Sequence, residues 1–218
     1  MPKRSIVVDP EKFEPREAEL RAQGYDLICG VDEAGRGPLA GDVYAAAVIL
    51  PPGWIPAGLD DSKKLTPAKR EELFDLIRGQ AVAFSIALAT VEEIEELNIL
   101  WASLLAMRRA VKGLDPPAEF ALVDGNMLPK KLAIPGEAVV GGDARIASVA
   151  AASILAKVAR DHAMLELDAQ YAGYDFARHK GYGTARHYEA LARLGPCPAH
   201  RKAFLPPVAA AVDCAASE

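Results

Sequence analysis

Apolar residues change period several times along the chain, and each change predicts an element. Asp9-Pro10 is an N-cap followed by proline at the first helical position, and the polar stretch after it reads as a surface helix ending at Gly24. An apolar run to Val31, a glycine-rich turn and a second apolar run from Val43 to Leu50 predict two adjacent strands. Thr66-Pro67 opens a helix that stops at Gly79, and Ala81 to Ala89 is a third strand. Thr90 and Glu93 form a capping box; Ile94, Leu97, Leu100, Leu104 and Met107 then carry one helix to Gly113, with Pro116 and Pro117 beyond it. Two short strands, Phe120 to Val123 and Ala138 to Val140, lead into Asp124 and Asp143. An alanine-rich helix from about Ile146 to about Tyr171 and another from Ala185 complete an α/β domain with a mixed sheet flanked by helices.

Composition adds limits. With 218 residues, 51% hydrophobic and 25% charged, the chain has the balance of one globular unit. Near the N-terminus only Ile6 to Val8 follow the two basic residues as an apolar run, far too short for a secretory core or a membrane span, so a cytoplasmic protein without membrane contact is expected. Cys29, Cys197 and Cys214 are odd in number, far apart and free of any CxxC spacing, which argues against a disulfide framework and a zinc site. The net charge of −5 does not advertise a nucleic-acid binder, but a carboxylate site filled with cations lowers formal charge while presenting positive charge locally.

The candidate chemistry is a set of four acids. Asp32 and Glu33 follow an apolar strand, where successive side chains alternate between faces, so both are expected to reach one site only if the chain leaves the strand there, as Gly35 and Gly37 would allow. Asp124 and Asp143 lie just past the carboxyl ends of buried strands, the edge at which ligands bind in open α/β sheets. Each acid alone reads more readily as a solvated or turn-forming residue than as a ligand, and the glycine-rich frame shifts that balance for Asp32 and Glu33. Together they would repel one another unless hard divalent cations such as magnesium or manganese neutralised them, and two such ions support phosphoryl chemistry without a side-chain nucleophile. That agrees with the lack of any nucleophile elbow; His162, His179, His187 and His200 are expected on helix surfaces or loops. No GxxxxGK[ST] phosphate loop is present, which weakens a nucleotide-binding reading.

ICGVDEAGRGPLAGDVYAAAVIL, DSKKL, LVDGN, GDARIASVAAASILAKVARD, HKGYGT and GPCPAHRKAF, in this order from about Arg16 to Phe204, resemble the blocks of the ribonuclease HII family. The related ribonuclease HIII family has an extra N-terminal domain, and usually Glu where this chain has Asp143, so the type-two family is favoured. The resemblance implies a ribonuclease H-like fold with a helical extension, divided as an N-terminal helix (1–24), a catalytic domain (25–172), the extension (173–207) and a disordered tail (208–218). It implies metal ligands at Asp32, Glu33, Asp124 and Asp143, with two Mn²⁺ or Mg²⁺ ions in the substrate complex. Gly35, Arg36 and Gly37 would read the ribose 2′-hydroxyl, Tyr182 would stack on the next sugar, and Ser62, Lys63 and Lys64 would meet phosphates. Ser153 and Lys157, one turn apart, are expected near the site. Relatives commonly carry a lysine two residues before the fourth acid; Gly141 stands there, and Arg145 is the expected substitute. The implied activity is endonucleolytic cleavage 5′ of a ribonucleotide in RNA/DNA hybrids or in duplex DNA with embedded ribonucleotides, by a monomer. The rivals are a junction-cutting nuclease on the same fold, which has no need of the glycine-arginine-glycine stretch or Tyr182, and a hybrid-binding protein without catalysis.

Overall fold

Strand β1 (Ile28–Ala34) is the axis of the computed structural model, which describes residues 13–205. On one side β2 (Val43–Ile49) pairs with it antiparallel and carries the antiparallel β3 (Ala83–Ala89). On the other, β4 (Phe120–Asp124) pairs in parallel and carries the parallel β5 (Gly136–Val139), giving the order β3-β2-β1-β4-β5. The mixed sheet expected from the apolar pattern is therefore present. Around it stand α1 (Arg16–Ala22), α2 (Pro67–Gln80), α3 (Val91–Leu97), α4 (Ile99–Lys112), the short α5 (Gly142–Arg145), α6 (Ala147–Gln170), the short α7 (Phe176–His179) and α8 (Ala185–Leu194).

Apolar residues cover both faces of the central strands because both are buried. Cys29, Val31, Ala45, Ala47 and Ile49 pack with Leu104, Met107, Ala110 and Val111 of α4. On the opposite face Ala46 and Val48 meet the alanines of α6 and Leu73, Phe74 and Ile77 of α2. Small residues on α6 allow a close approach to the sheet. A Cβ built on Gly30 would fall 2.1 Å from the backbone carbon of Ser148, so no larger residue fits between β1 and the first turn of α6.

Several element boundaries are sharper than the pattern implies. Thr66 accepts from the Lys69 amide, and the Thr90–Glu93 capping box is complete. The single helix expected from Thr90 to Gly113 is instead two, because Asn98 (φ 66°, ψ 165°) leaves helical geometry and its Oδ1 accepts from the amides of Leu100 and Trp101, starting α4 afresh. Apolar periodicity continues through this break, which hides it. The N-terminal helix begins at Arg16; the proposed cap at Asp9-Pro10 and the tail 208–218 lie outside the described residues. Glu17 of α1 accepts from the Ser148 amide and so caps the start of α6.

Two glycine substitutions test this packing. Gly30→Ala is expected to lower stability by at least about 1–3 kcal/mol through overpacking. Gly79→Ala, on α2 with nothing within 4 Å of the added carbon, is expected to raise it by about 0.5–1 kcal/mol. Urea unfolding followed by circular dichroism checks both; equal effects would contradict the close approach at Gly30.

Candidate active site

The acids gather through strand register. In the parallel pair, Val31 of β1 lies opposite Val123 of β4, which brings the next residues, Asp32 and Asp124, level at the carboxyl edge of the sheet. Contrary to the expectation of a break, β1 runs unbroken through both acids, with Asp32 opposite Ala46 and Glu33 opposite Ala45. Asp32 is buried beneath α6, in hydrogen-bonding reach of Ser153, while Glu33 stands at the edge with its side chain 14% exposed. Asp124 Oδ1 accepts from the Gly142 amide at 2.7 Å, which fastens the turn that presents buried Asp143.

Burial first, then the charges of Glu33 and Asp124, push the Asp32 carboxyl well above the ordinary value. Glu33 is raised mainly by burial, with Asp124 adding to the rise and Arg36 opposing it. Asp124 is raised by burial and by Asp143. Hard oxygen donors crowded and desolvated in this way favour a divalent cation. A cationic group already occupies part of the space: Lys63 Nζ lies 3.3 Å from Asp143 Oδ2. The donor set thus fits magnesium or manganese, although no three His, Cys, Asp or Glu side chains among the described residues already enclose one point.

Three loops surround the acids. The segment after β1 turns at Gly35 (φ +100°), where a Cβ would lie 2.1 Å from Nε of Arg160. Arg36 Nη1 reaches Glu33 Oε1 at 3.4 Å, and Gly37 lies against the ring of Tyr182, whose Cε1 would be 3.7 Å from an added Cβ. Tyr182 itself is 46% exposed, so its ring is available for stacking. The third loop carries Ser62, Lys63 and Lys64. Ser62 is buried with its Oγ 2.7 Å from Ser153 Oγ, which joins the loop to α6, and Lys64 leans toward Asp60 at 3.9 Å, away from the acids. Lys157 is occupied with Asp161 at 2.6 Å. Arg145 does not serve Asp143: Nε and Nη2 grip Glu14 at 2.7 and 3.0 Å, and the cation beside Asp143 is Lys63.

The sequence model described as Ribonuclease HII matches residues 29–205, most of the chain. The chain belongs to the ribonuclease HII family. A relative named Ribonuclease HII from Laribacter hongkongensis is 61% identical over 180 residues, covering 82% of this chain and 91% of that one. Another from Ruegeria pomeroyi is 56% identical over 188 residues, covering 86% and 80%. Among solved structures, the ribonuclease H2 from Pyrococcus horikoshii OT3 superposes with a TM-score of 0.70 at 27% identity, covering 88% of this chain and all of that one. Ribonuclease HII is a family of hydrolytic endoribonucleases that act on RNA/DNA hybrids and depend on divalent metal.

Residues outside the candidate set also shape this edge and its loops. Arg160 and Arg201, both buried, hold loop carbonyls; a lone arginine in an alanine-rich helix or in a tail carries no local signal of that role. The histidines correct an expectation: His162 is exposed on α6, but His179, His187 and His200 are buried together behind the Tyr182 loop. The rings of His179 and His187 stack at 4.4 Å, and Nε2 of His187 lies 3.0 Å from Nε2 of His200. His187 Nδ1 is 2.9 Å from the Tyr182 carbonyl, an arrangement satisfied when Nδ1–H donates to it, and His200 Nδ1 accepts from the Cys197 amide. Burial holds His187 down at about 4, so it is neutral at neutral pH, and burial lowers His200 as well.

A depressed histidine contributes stability that is complete above its unfolded value of about 6.5 and is lost as pH falls toward the folded one, because the unfolded chain then binds more protons. His187→Asn, which retains a donor for the Tyr182 carbonyl, is therefore expected to be less stable than the parent at pH 7.5, with the gap narrowing between about pH 7 and 5. Thermal unfolding at each pH checks this; a constant gap would mean that His187 is not held neutral.

Proposed function

We propose that this chain hydrolyses the phosphodiester on the 5′ side of a ribonucleotide, in RNA/DNA hybrids and in DNA duplexes with embedded ribonucleotides, leaving 5′-phosphate and 3′-hydroxyl ends. The observation that supports the reading is the meeting of the acidic edge with the loop after β1: Arg36 touches Glu33, and Gly37 sits against Tyr182. A metal-dependent nuclease needs only the acids. Discrimination of RNA from DNA needs, in addition, groups that sense the 2′-hydroxyl.

Asp32, Glu33, Asp124 and Asp143 would hold two Mg²⁺ or Mn²⁺ ions, which when bound supply activation of water and charge stabilisation at the scissile phosphate. The open arrangement of the acids suits hard cations that complete their coordination with substrate oxygens. Ser153 holds Asp32, and Gly142 holds Asp124, so these carboxylates keep their orientation without substrate. Lys63, whose side chain is 79% exposed, is free to exchange Asp143 for a substrate phosphate, and Lys64 is solvent-facing enough to do the same. Ser62 contributes by anchoring the loop, since its hydroxyl is tied to Ser153. The amides of exposed Arg36 and Gly37 have no acceptor among the described residues and can donate to the sugar, with buried Gly35 making the turn that presents them, while the half-exposed Tyr182 ring offers a stacking face for the neighbouring deoxyribose.

Three labelled duplexes, with one ribonucleotide, a full RNA strand or DNA only, test the reading in Mg²⁺, Mn²⁺ and EDTA. Cutting just 5′ of the single ribonucleotide is expected with metal, and none on DNA. Asp124→Asn is expected to reduce the rate by more than about 100-fold, the scale of losing one charge-stabilising group at a reaction centre. Cleavage in EDTA would remove the metal mechanism, and cutting of the full hybrid alone would remove the junction-reading roles of Gly35, Arg36, Gly37 and Tyr182.

A further inference from the structure

Arg201 is fully buried and forms no ion pair with any described residue. Its guanidinium donates instead to four backbone carbonyls of the loop after β1: Gly35 at 2.7 Å, Arg36 at 3.0 Å, Pro38 at 2.9 Å and Gly41 at 2.8 Å. Its own amide donates to Leu39 O at 2.8 Å, and Ala40 bridges His200 in antiparallel fashion, so the chain around Arg201 lies along the loop like a short strand. Arg160 takes the remaining inner carbonyls, Ala40 at 3.1 Å and Asp42 at 3.3 Å. Taking a guanidinium out of water is costly and is tolerated only where its donors are well matched. Filling space would not require one.

The consequence lies in the peptide plane. A trans peptide sets its N–H opposite its C=O, so holding the carbonyls of Gly35 and Arg36 aims the amides of Arg36 and Gly37 away from Arg201. Those two residues are exposed, their amides have no protein acceptor, and the Gly37 carbonyl has no partner among the described residues either. Gly37 therefore presents a free donor and a free acceptor side by side, the complement of a hydroxyl that both donates and accepts.

We propose that Arg201 is a positioning residue that fixes these open backbone groups for the ribose 2′-hydroxyl and so sets the discrimination of ribonucleotide from deoxyribonucleotide. This rests on the reading that the loop after β1 meets the sugar. Arg201 touches no substrate in this scheme. Lysine, with a single point charge, cannot hold four carbonyls in one plane.

The test compares the full-length parent, Arg201→Lys and Arg201→Ala by fluorescence anisotropy in Ca²⁺, using a duplex with one ribonucleotide and its all-DNA counterpart, with Mn²⁺ affinity measured separately by calorimetry. The parent should prefer the ribonucleotide duplex. In Arg201→Lys that preference should fall by about tenfold, the scale of one net hydrogen bond or slightly more, while affinity for the DNA duplex and for Mn²⁺ stays within about twofold. Free guanidinium, but not sodium at equal ionic strength, should restore the preference in Arg201→Ala. An unchanged preference in a folded Arg201→Lys overturns the proposal, as does guanidinium that restores folding alone or a fall in Mn²⁺ affinity equal to the fall in preference. Lack of any preference in the parent overturns the underlying reading of the loop instead.

Discussion

The contact between Gly30 and the backbone at Ser148 is the constraint on which the rest depends. A sheet and a helix ordinarily meet through side chains; here the absence of a Cβ lets β1 and α6 approach backbone to backbone. α6 is then close enough, further along its length, for Ser153 to reach Asp32 and for Arg160 to enter the turn after β1. The run of alanines in α6 suits the same close approach, with Ile154, Leu155 and Val158 filling the cluster that the helix shares with β2 and α2. A shift at Gly30 would move the hydrogen-bond partner of Asp32 and a loop clamp together, although neither is near it in the chain.

Loops around an active site are usually the least fixed part of a fold, and this one stiffens them with guanidinium groups bound to carbonyls. Arg201 and Arg160 share the loop after β1, Arg160 also takes the Lys180 carbonyl at 3.0 Å, and Arg70 holds the carbonyls of Ser62 and Leu65. A planar fork with five donors can satisfy several carbonyls at once, which a carboxylate cannot do and an ammonium does poorly. Any ligand that these loops meet would then find them already ordered, which lowers the cost of binding.

The sheet was legible because two-sided burial writes continuous apolar runs and because caps such as Thr66 and the Thr90–Glu93 box have local signatures. The four candidate acids were legible for a similar reason: Asp32 and Glu33 stand late in a buried strand, Asp124 ends another, and Asp143 follows the turn after a third. What stayed hidden depends on contacts distant in the chain. The break at Asn98 lies inside an uninterrupted apolar period, and only the conformation of that one residue reveals it. Arg145 is closer to Asp143 in sequence than Lys63, yet it is drawn to Glu14, and a loop 80 residues away supplies the cation. The three buried histidines read as helix-surface or loop residues, but in the fold they gather around Phe176, against which the His179 and His187 rings pack edge-on and the His200 ring tilted.

The electrostatics of the acidic edge explain how a chain with net charge −5 can address a polyanion. Asp32, Glu33 and Asp124 are raised because burial and mutual repulsion disfavour their ionised forms, so the apo edge is destabilised relative to the same carboxylates in water. A divalent cation bound there would relieve that cost and turn a repulsive patch into one attractive to phosphate. Lys63 relieves part of it meanwhile at Asp143, and because its side chain is mostly exposed the pair is readily exchanged. The net charge of −5 counts the chain alone, and cations held at the acids would change the sign of the surface that meets nucleic acid.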